Sequence, residues 1–321
     1  MSYDAVVLSG GGVRGIMHLG VLHYYAETGQ YDHKYVHTYA GTSVGSAIAL
    51  CLACGLEPMA VFQTLYTAKG ILSARPQDQS LVDLITNFGL MSMDSFIDLV
   101  QQCVLTKMSS VPTLLELYQK TGKTLIVSVT NVNHKRVEYL THMSNPHLSA
   151  LDAVRMSCSL PLIFPRIKYK DCWYWDGGLT DNIPIRAVKN ASNILLSVTI
   201  GTDMTLDPEY FVAYIYRAVT IPIGALTRLR YQCYQEMDHV TTVVSKADNI
   251  SLVTFDIPAK TKMDLFLTGY NEARWMDSKE ELHVEGWTWE VSVTTEPSDG
   301  WSLMERTPTK RCKNPLDVEI A

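Results

Sequence analysis

Two short runs hold residue types at spacings suited to acyl transfer. The first is Gly41-Thr42-Ser43-Val44-Gly45, a G-x-S-x-G pattern. A serine so placed suits a sharp strand-to-helix turn that lifts its hydroxyl into the open, provided a strand precedes it and a helix follows. Both neighbours read that way, with "YVHTYA" before and "SVGSAIALCLACGL" after. Ser43 is therefore a candidate nucleophile, and Gly41 and Gly45 leave room for the tight backbone and for the helix to pack on the strand. A helix N-terminus behind Ser43 also offers partial positive charge to a developing anion.

The second run is "LSGGGVRG", with Gly10-x-Gly12-x-x-Gly15 between an apolar stretch and an amphipathic one. That spacing also serves dinucleotide loops, which want an acidic residue at the end of the next strand to hold a ribose. Glu27 and Asp32 lie at a suitable distance but before "YVHTYA", so the cofactor reading lacks its second contact. An ester under attack builds negative charge on oxygen, and losing one fixed backbone donor to it typically costs ~3 kcal/mol. The loop Gly10, Gly11, Gly12, Val13, Arg14, Gly15 reads as an oxyanion hole. Arg14 beside it reads as the anchor of the loop through an ion pair, with steering of a phosphate headgroup as the alternative.

A serine nucleophile needs a proton acceptor, usually histidine. The nine histidines stand in helices, strands or a polar hairpin, and His239 and His283, the two far enough downstream for a hydrolase-like order, follow no clean strand. A better candidate is Asp176 in "CWYWDGGLTDNIPI", at the end of an aromatic strand where Gly177 and Gly178 turn the chain. Shielding by Trp173 and Trp175 would disfavour its charged form and raise its basicity. Asp181 is the runner-up, reading more naturally as a turn or cap.

The elements that must position these groups alternate. "DAVVLSG" and "YVHTYA" read as strands, each followed by glycines and a helix, which argues for an α/β fold with a mainly parallel sheet covered on both faces. The segment from 57 to 121 reads as helical, and "KTLIVSVTNVNHKRVEYLT" as two strands joined by an Asn-rich turn. "LSALDAVRMSCSL" reads as a helix stopped by Pro161, and "NILLSVTIG" and "ISLVTFDI" as strands. Two further helices are expected over 208–220 and 223–237, another in "MDLFLTGYNEARWM", and the tail holding Trp287, Trp289 and Trp301 has no assignable fold. Within "EYFVAYIYRAVTIPIGALTRLRY", Tyr210, Phe211, Tyr214 and Ile215 share one face. That is the signature of a core helix, with an interfacial lipid patch as the alternative.

With 321 residues, 47% hydrophobic and 19% charged, the chain is long enough for one large core. The net charge of −6 and the lack of a dense basic run argue against nucleic acid. Seven irregularly spaced cysteines, no signal-peptide pattern and no apolar run of spanning length suggest a cytoplasmic protein. Cys51-x-x-Cys54 lies late in an apolar helix and reads as core. No spacing suits a metal.

Taken in order, "GGGVRG", "GTSVG" and "DGGLTDNIP", with "MSCSLPLIFP" between the last two, resemble the patatin-like phospholipases over residues 3–275. The resemblance implies a three-layer α/β/α sandwich. It makes Ser43 the nucleophile and Asp176 the only base, a Ser–Asp dyad without histidine, with Gly11 and Gly12 amides on the oxyanion and no metal or cofactor. Implied substrates are lipid esters: phospholipids, lysophospholipids or acylglycerols, with peripheral membrane contact as a further expectation. The domain is expected over 1–276, with 277–321 a tail of unknown structure. Two alternatives stand beside this reading: a non-catalytic lipid- or membrane-binding protein on the same fold, and a nucleotide-dependent enzyme using the first glycine loop.

Overall fold

The computed structural model describes residues 2–68, 88–89, 91–201, 211–250, 257–283, 288–290 and 307–309. The chain divides into two units, Met1–Ala273 and Arg274–Ala321. The first holds strands β1 (Ala5–Leu8), β2 (Thr38–Thr42), β3 (Thr124–Asn131), β4 (Arg136–Leu140), β5 (Ile167–Tyr169), β6 (Cys172–Asp176), β7 (Ile194–Ile200) and β8 (Val240–Lys246). The described helices are α1 (Ile16–Glu27), α2 (Val44–Ala53), α3 (Pro58–Thr67), α4 (Asp94–Leu105), α5 (Leu114–Thr121), α6 (Ala150–Ser157), α7 (Phe211–Tyr234) and α8 (Ala259–His283). In the second unit Thr288–Glu290 pairs antiparallel with Thr307–Thr309. Of the tail tryptophans only Trp289 falls in a described strand, and most of "ISLVTFDI" lies outside the described residues.

The sheet runs β5-β6-β3-β2-β1-β7-β8, with β4 also on β3. Pairings among β3, β2, β1, β7 and β8 are parallel, and those of β4, β5 and β6 are antiparallel. The apolar runs of β1 and β7 are buried on both faces, as a sheet covered by helices on each side requires. Ala5, Val7, Ala40, Ile126, Ile194, Leu196 and Val198, alternate positions of their strands, share one cluster with Ile183, Ile185 and Tyr234 of α7. On the other face α1 packs on β7, and α2 packs on β1, β2 and β3.

One detail of register positions the site. Val129 pairs with Glu138 of β4 and with Asp176 of β6, so these two strands occupy opposite edges of β3. Ser128 pairs with Tyr139 of β4 and with Thr42 of β2, which puts β2 on the edge that β6 uses. β2 and β6 therefore share one edge of β3, running towards each other, and their C-terminal ends meet between Ser128 and Val129.

Where two helices are expected over 208–237, a single one runs through Pro222. Proline removes one backbone donor and crowds the preceding turn, but on a surface helix the orphaned carbonyl can turn to water, so the apolar packing of α7 on the sheet carries the helix through.

Candidate active site at the meeting of two strand ends

Ser43 sits at the junction of β2 and α2 with φ 53° and ψ −129°, a conformation that L-residues avoid. Neighbouring groups hold it there. The Ser43 N–H donates to Ser157 Oγ at 2.8 Å, Ser157 Oγ donates to the Ser128 carbonyl at 2.7 Å, and Ser46 Oγ donates to the Ser43 carbonyl at 2.6 Å. Gly45 is required because a Cβ there would lie 2.5 Å from the Leu8 and Ser9 carbonyl oxygens; Gly41 faces Gly45 in the same close contact.

Asp176, the last residue of β6, is buried. Its Oδ1 accepts the Gly178 N–H at 2.7 Å, and the Ser43 hydroxyl lies near enough to favour its charged form. Burial pushes its pKa up to about 6, the Gly178 N–H and the Ser43 hydroxyl opposing part of that rise. The shielding does not come from Trp173 and Trp175. Alternation along β6 puts these half-exposed rings on the face opposite Tyr174 and Asp176, and Arg166 lies over the Trp173 ring at 3.9 Å. The other candidate acid is committed elsewhere: buried Asp181 pairs with Arg230 of α7 and accepts the Tyr139 hydroxyl at 2.5 Å.

The glycine loop lies against this pair. A Cβ on Gly10 would come within 3.2 Å of Ser43 Cβ and 2.5 Å of Asn182 Oδ1. Gly10 is held from both sides of its peptide: its N–H donates to Asn182 Oδ1 at 3.1 Å, and its carbonyl accepts from Asn182 Nδ2 at 3.4 Å and from Ser9 Oγ at 3.1 Å. The Arg14 N–H is bonded to the Gly11 carbonyl at 3.1 Å. Of the six loop residues named as oxyanion donors, Gly10 and Arg14 thus already use their amides within the protein. The Arg14 guanidinium anchors the loop, donating to Gly201 O at 3.1 Å and Ile250 O at 2.9 Å.

Beneath the loop, His18 is fully buried, its Nε2 2.9 Å from the Ser9 carbonyl and its Nδ1 2.7 Å from Ser197 Oγ. A carbonyl can only accept, so Nε2 carries the proton and Nδ1 accepts from Ser197. Burial lowers the His18 pKa from 6.5 to about 4. Between those two values the unfolded chain binds a proton that the folded chain refuses, so this residue makes stability rise with pH over that window. The whole effect is about 3 kcal/mol. His18→Gln is expected to lose less stability than the wild type on going from pH 6.5 to 4.5, measured as denaturant midpoints at the two values.

Ser43, Asp176, Gly10, Gly11, Gly12, Arg14 and Gly178 line one cavity of about 470 Å³. Its remaining wall is largely apolar, with Met93 and Phe96 of α4, Leu160, Phe164, and Ile221 and Ile223 of α7. No histidine is among its described lining residues. Among the described residues no group of three His, Cys, Asp or Glu side chains is arranged to hold a metal. Glu27, needed by the nucleotide reading, lies at the far end of α1 and accepts the Tyr270 hydroxyl at 2.9 Å.

Comparison with known proteins gives this arrangement a family. The model of the patatin-like phospholipases matches residues 6–189, more than half of the chain and the stretch that holds both glycine motifs, Ser43 and Asp176. The chain belongs to the patatin-like phospholipase family. A relative described as probable lipid hydrolase 463L, from Invertebrate iridescent virus 6, is 32% identical over 184 residues, covering 57% of this chain. That match takes in 62% of the relative, less than two thirds of its length. Uncharacterized protein R571 of Acanthamoeba polyphaga mimivirus is 24% identical over 278 residues, 84% of this chain and 92% of its own. Among solved structures, VipD from Legionella pneumophila matches with a TM-score of 0.53 and 17% identity, over 87% of this chain and 67% of its own, a likeness of fold.

Several residues of this patatin-like site escape a reading of motifs. The Cys158 thiol, kept neutral by burial and by the charge of Asp176, reaches both Ser43 and Ser46. Ser157, beside it, holds the Ser43 amide. Asn182 ties the glycine loop to α7, donating to Thr227 Oγ1 at 3.0 Å. All three lie inside "MSCSLPLIFP" or "DGGLTDNIP", so their segments signalled importance, but their individual partners are 29 to 172 positions away.

Proposed function

We propose that this protein is a serine-type lipid acyl hydrolase in which Ser43 attacks an ester carbonyl and Asp176 alone serves as its base. The observation that carries the reading is the meeting of Ser43 and buried Asp176 at converging strand ends, where both line one cavity with no histidine among its described lining residues. Family membership and the probable lipid hydrolase among the relatives favour lipid esters as substrates. The largely apolar cavity suits an acyl chain. The activity is assigned to residues 1–276, with 277–321 as an appended tail.

In the first step Asp176 takes the Ser43 proton as Oγ bonds to the carbonyl carbon. The carbonyl π-electrons move to oxygen, where the Gly11 and Gly12 amides receive the charge. Collapse of this intermediate expels the alcohol, protonated by Asp176, and leaves an acyl-enzyme. Water, deprotonated by Asp176, then attacks the acyl carbonyl; the intermediate collapses as Asp176 returns that proton to Ser43 Oγ, releasing the fatty acid and restoring Ser43. A carboxylate of ordinary pKa is a weak base for this work; burial brings Asp176 nearer to the working pH.

The test is a panel of phospholipids, lysophospholipids and acylglycerols with product analysis, run on the wild type and Ser43→Ala together. Fatty acid release by the wild type alone is expected, and release by both or by neither overturns the reading. Because Asp176 accepts a proton only when ionised, kcat/KM is expected to rise with pH through an apparent pKa of about 6 and then level off. A profile flat from about pH 4.5 to 7.5 would remove Asp176 from the role of base.

A further inference from the structure

The sequence pattern of α7 suggests a core helix, yet one of its faces is exposed. Tyr214 is 65% exposed, Ile221 66% and Leu229 65%, and Ala218 and Ala225 between them are exposed too. These positions recur every three to four residues, so they form one apolar stripe about 22 Å long on a straight helix. Tyr216, Thr227 and Tyr234 form the opposite, buried face, where α7 packs on β7, β8 and the turn after Asp176.

The stripe lies at the cavity rather than at a random place on the surface. Ile221, Ala225 and Arg228 belong both to the exposed face and to the cavity wall, which makes α7 the lip of the opening. Its charge is also set apart from the rest of the chain. Phe211–Tyr234 holds three arginines and no acidic residue, in a protein of net charge −6. Arg230 is occupied by Asp181, whereas Arg228 is exposed at the lip. Among the described residues no helix is long and apolar enough to cross a membrane. A helix with one apolar face and cations beside it is built to lie in a bilayer interface instead.

We propose that the outward face of α7, from Tyr214 to Leu229, is the surface by which this protein docks on an anionic lipid bilayer, holding the mouth of the cavity against the lipid. The orientation rests on the lipid-ester reading above; the docking itself rests on the exposed stripe and its charge. A second copy of the chain fits the face less well. Two-fold pairing of the stripe would cover the lip of the cavity on both molecules.

The experiment uses the full chain carrying Ser43→Ala, so that binding is read without hydrolysis. It is sedimented with vesicles of phosphatidylcholine alone or of phosphatidylcholine with phosphatidylserine. Binding to the anionic vesicles is expected, weakened by salt. Adding Tyr214→Asp with Leu229→Asp is expected to reduce it at least roughly tenfold, and Arg228→Glu to abolish the preference for phosphatidylserine. Neither Tyr214 nor Leu229 lines the cavity, so with Ser43 restored the double variant should hydrolyse a monomeric short-chain ester at the wild-type rate and lose its rate on vesicles. Three outcomes overturn the proposal: no vesicle binding, equal binding by the double variant, or a double variant that only turns a dimer into a monomer. Failure of the hydrolase reading appears separately, as absence of turnover on the soluble ester with vesicle binding intact.

Discussion

Asp176→Asn is expected to lower kcat for ester hydrolysis by about 10⁴-fold while making the folded protein more stable at neutral pH. The activity loss follows from the proton: an amide at the same position can still accept the Gly178 N–H but cannot take a proton from Ser43. The gain in stability follows from linkage. Below pH 3.8 the carboxyl is protonated in both the folded and unfolded chain, and its ionisation contributes nothing. Above about 6 the folded state must hold a buried charge that the unfolded state exposes to water. Stability contributed by the neutral carboxyl is therefore lost as pH rises through that window, to a total of about 3 kcal/mol. The advantage of Asp176→Asn over the wild type should be largest at pH 7 and shrink towards pH 4, in paired denaturant titrations. An equal shift at both values would mean that the charge is not the cause.

Ser43→Ala is expected to cost about 10⁶ in kcat, as removal of a nucleophile does in serine hydrolases generally, and to abolish labelling by a fluorophosphonate. Ser43→Gly should be equally inactive yet more stable than Ser43→Ala by about 1 kcal/mol. Alanine keeps a Cβ in a backbone conformation at φ 53° and ψ −129° that only glycine adopts without strain. Part of that relief is offset by the greater freedom of glycine in the unfolded chain. Matched thermal melts of the two variants check the difference, and equal stability would show that the turn stores no strain at Ser43.

The two effects share a cause. The register of β3 forces a serine and a carboxylate to meet at the ends of converging strands, one in a strained turn and the other out of water. Neither arrangement favours folding, and the dense hydrogen bonding from Ser157, Ser46, Gly178 and Asn182 holds them in place.

The residues proposed to carry chemistry are legible from the sequence because their requirements are local. Ser43 needs small neighbours and a turn, which G-x-S-x-G supplies within five residues; the glycine loop needs bare amides ahead of a helix; Asp176 needs a strand end and the glycines that follow it. Periodicity likewise places most strands and helices, since burial on a sheet or under a helix leaves a repeat in the chain. What lies on the far side of a given face leaves no such trace. An apolar stripe on α7 reads the same whether it meets the core or solvent, and the burial of Asp176 came from its own face of β6 rather than from the adjacent tryptophans. The anchoring of Arg14 on carbonyls of Gly201 and Ile250, and of His18 on Ser9 and Ser197, depends on pairs joined across the fold. Sequence determined which groups this protein has to work with. Tertiary structure decided which of them meet, because hydrogen bonding and exclusion of water act over a few ångströms of space whatever their separation along the chain.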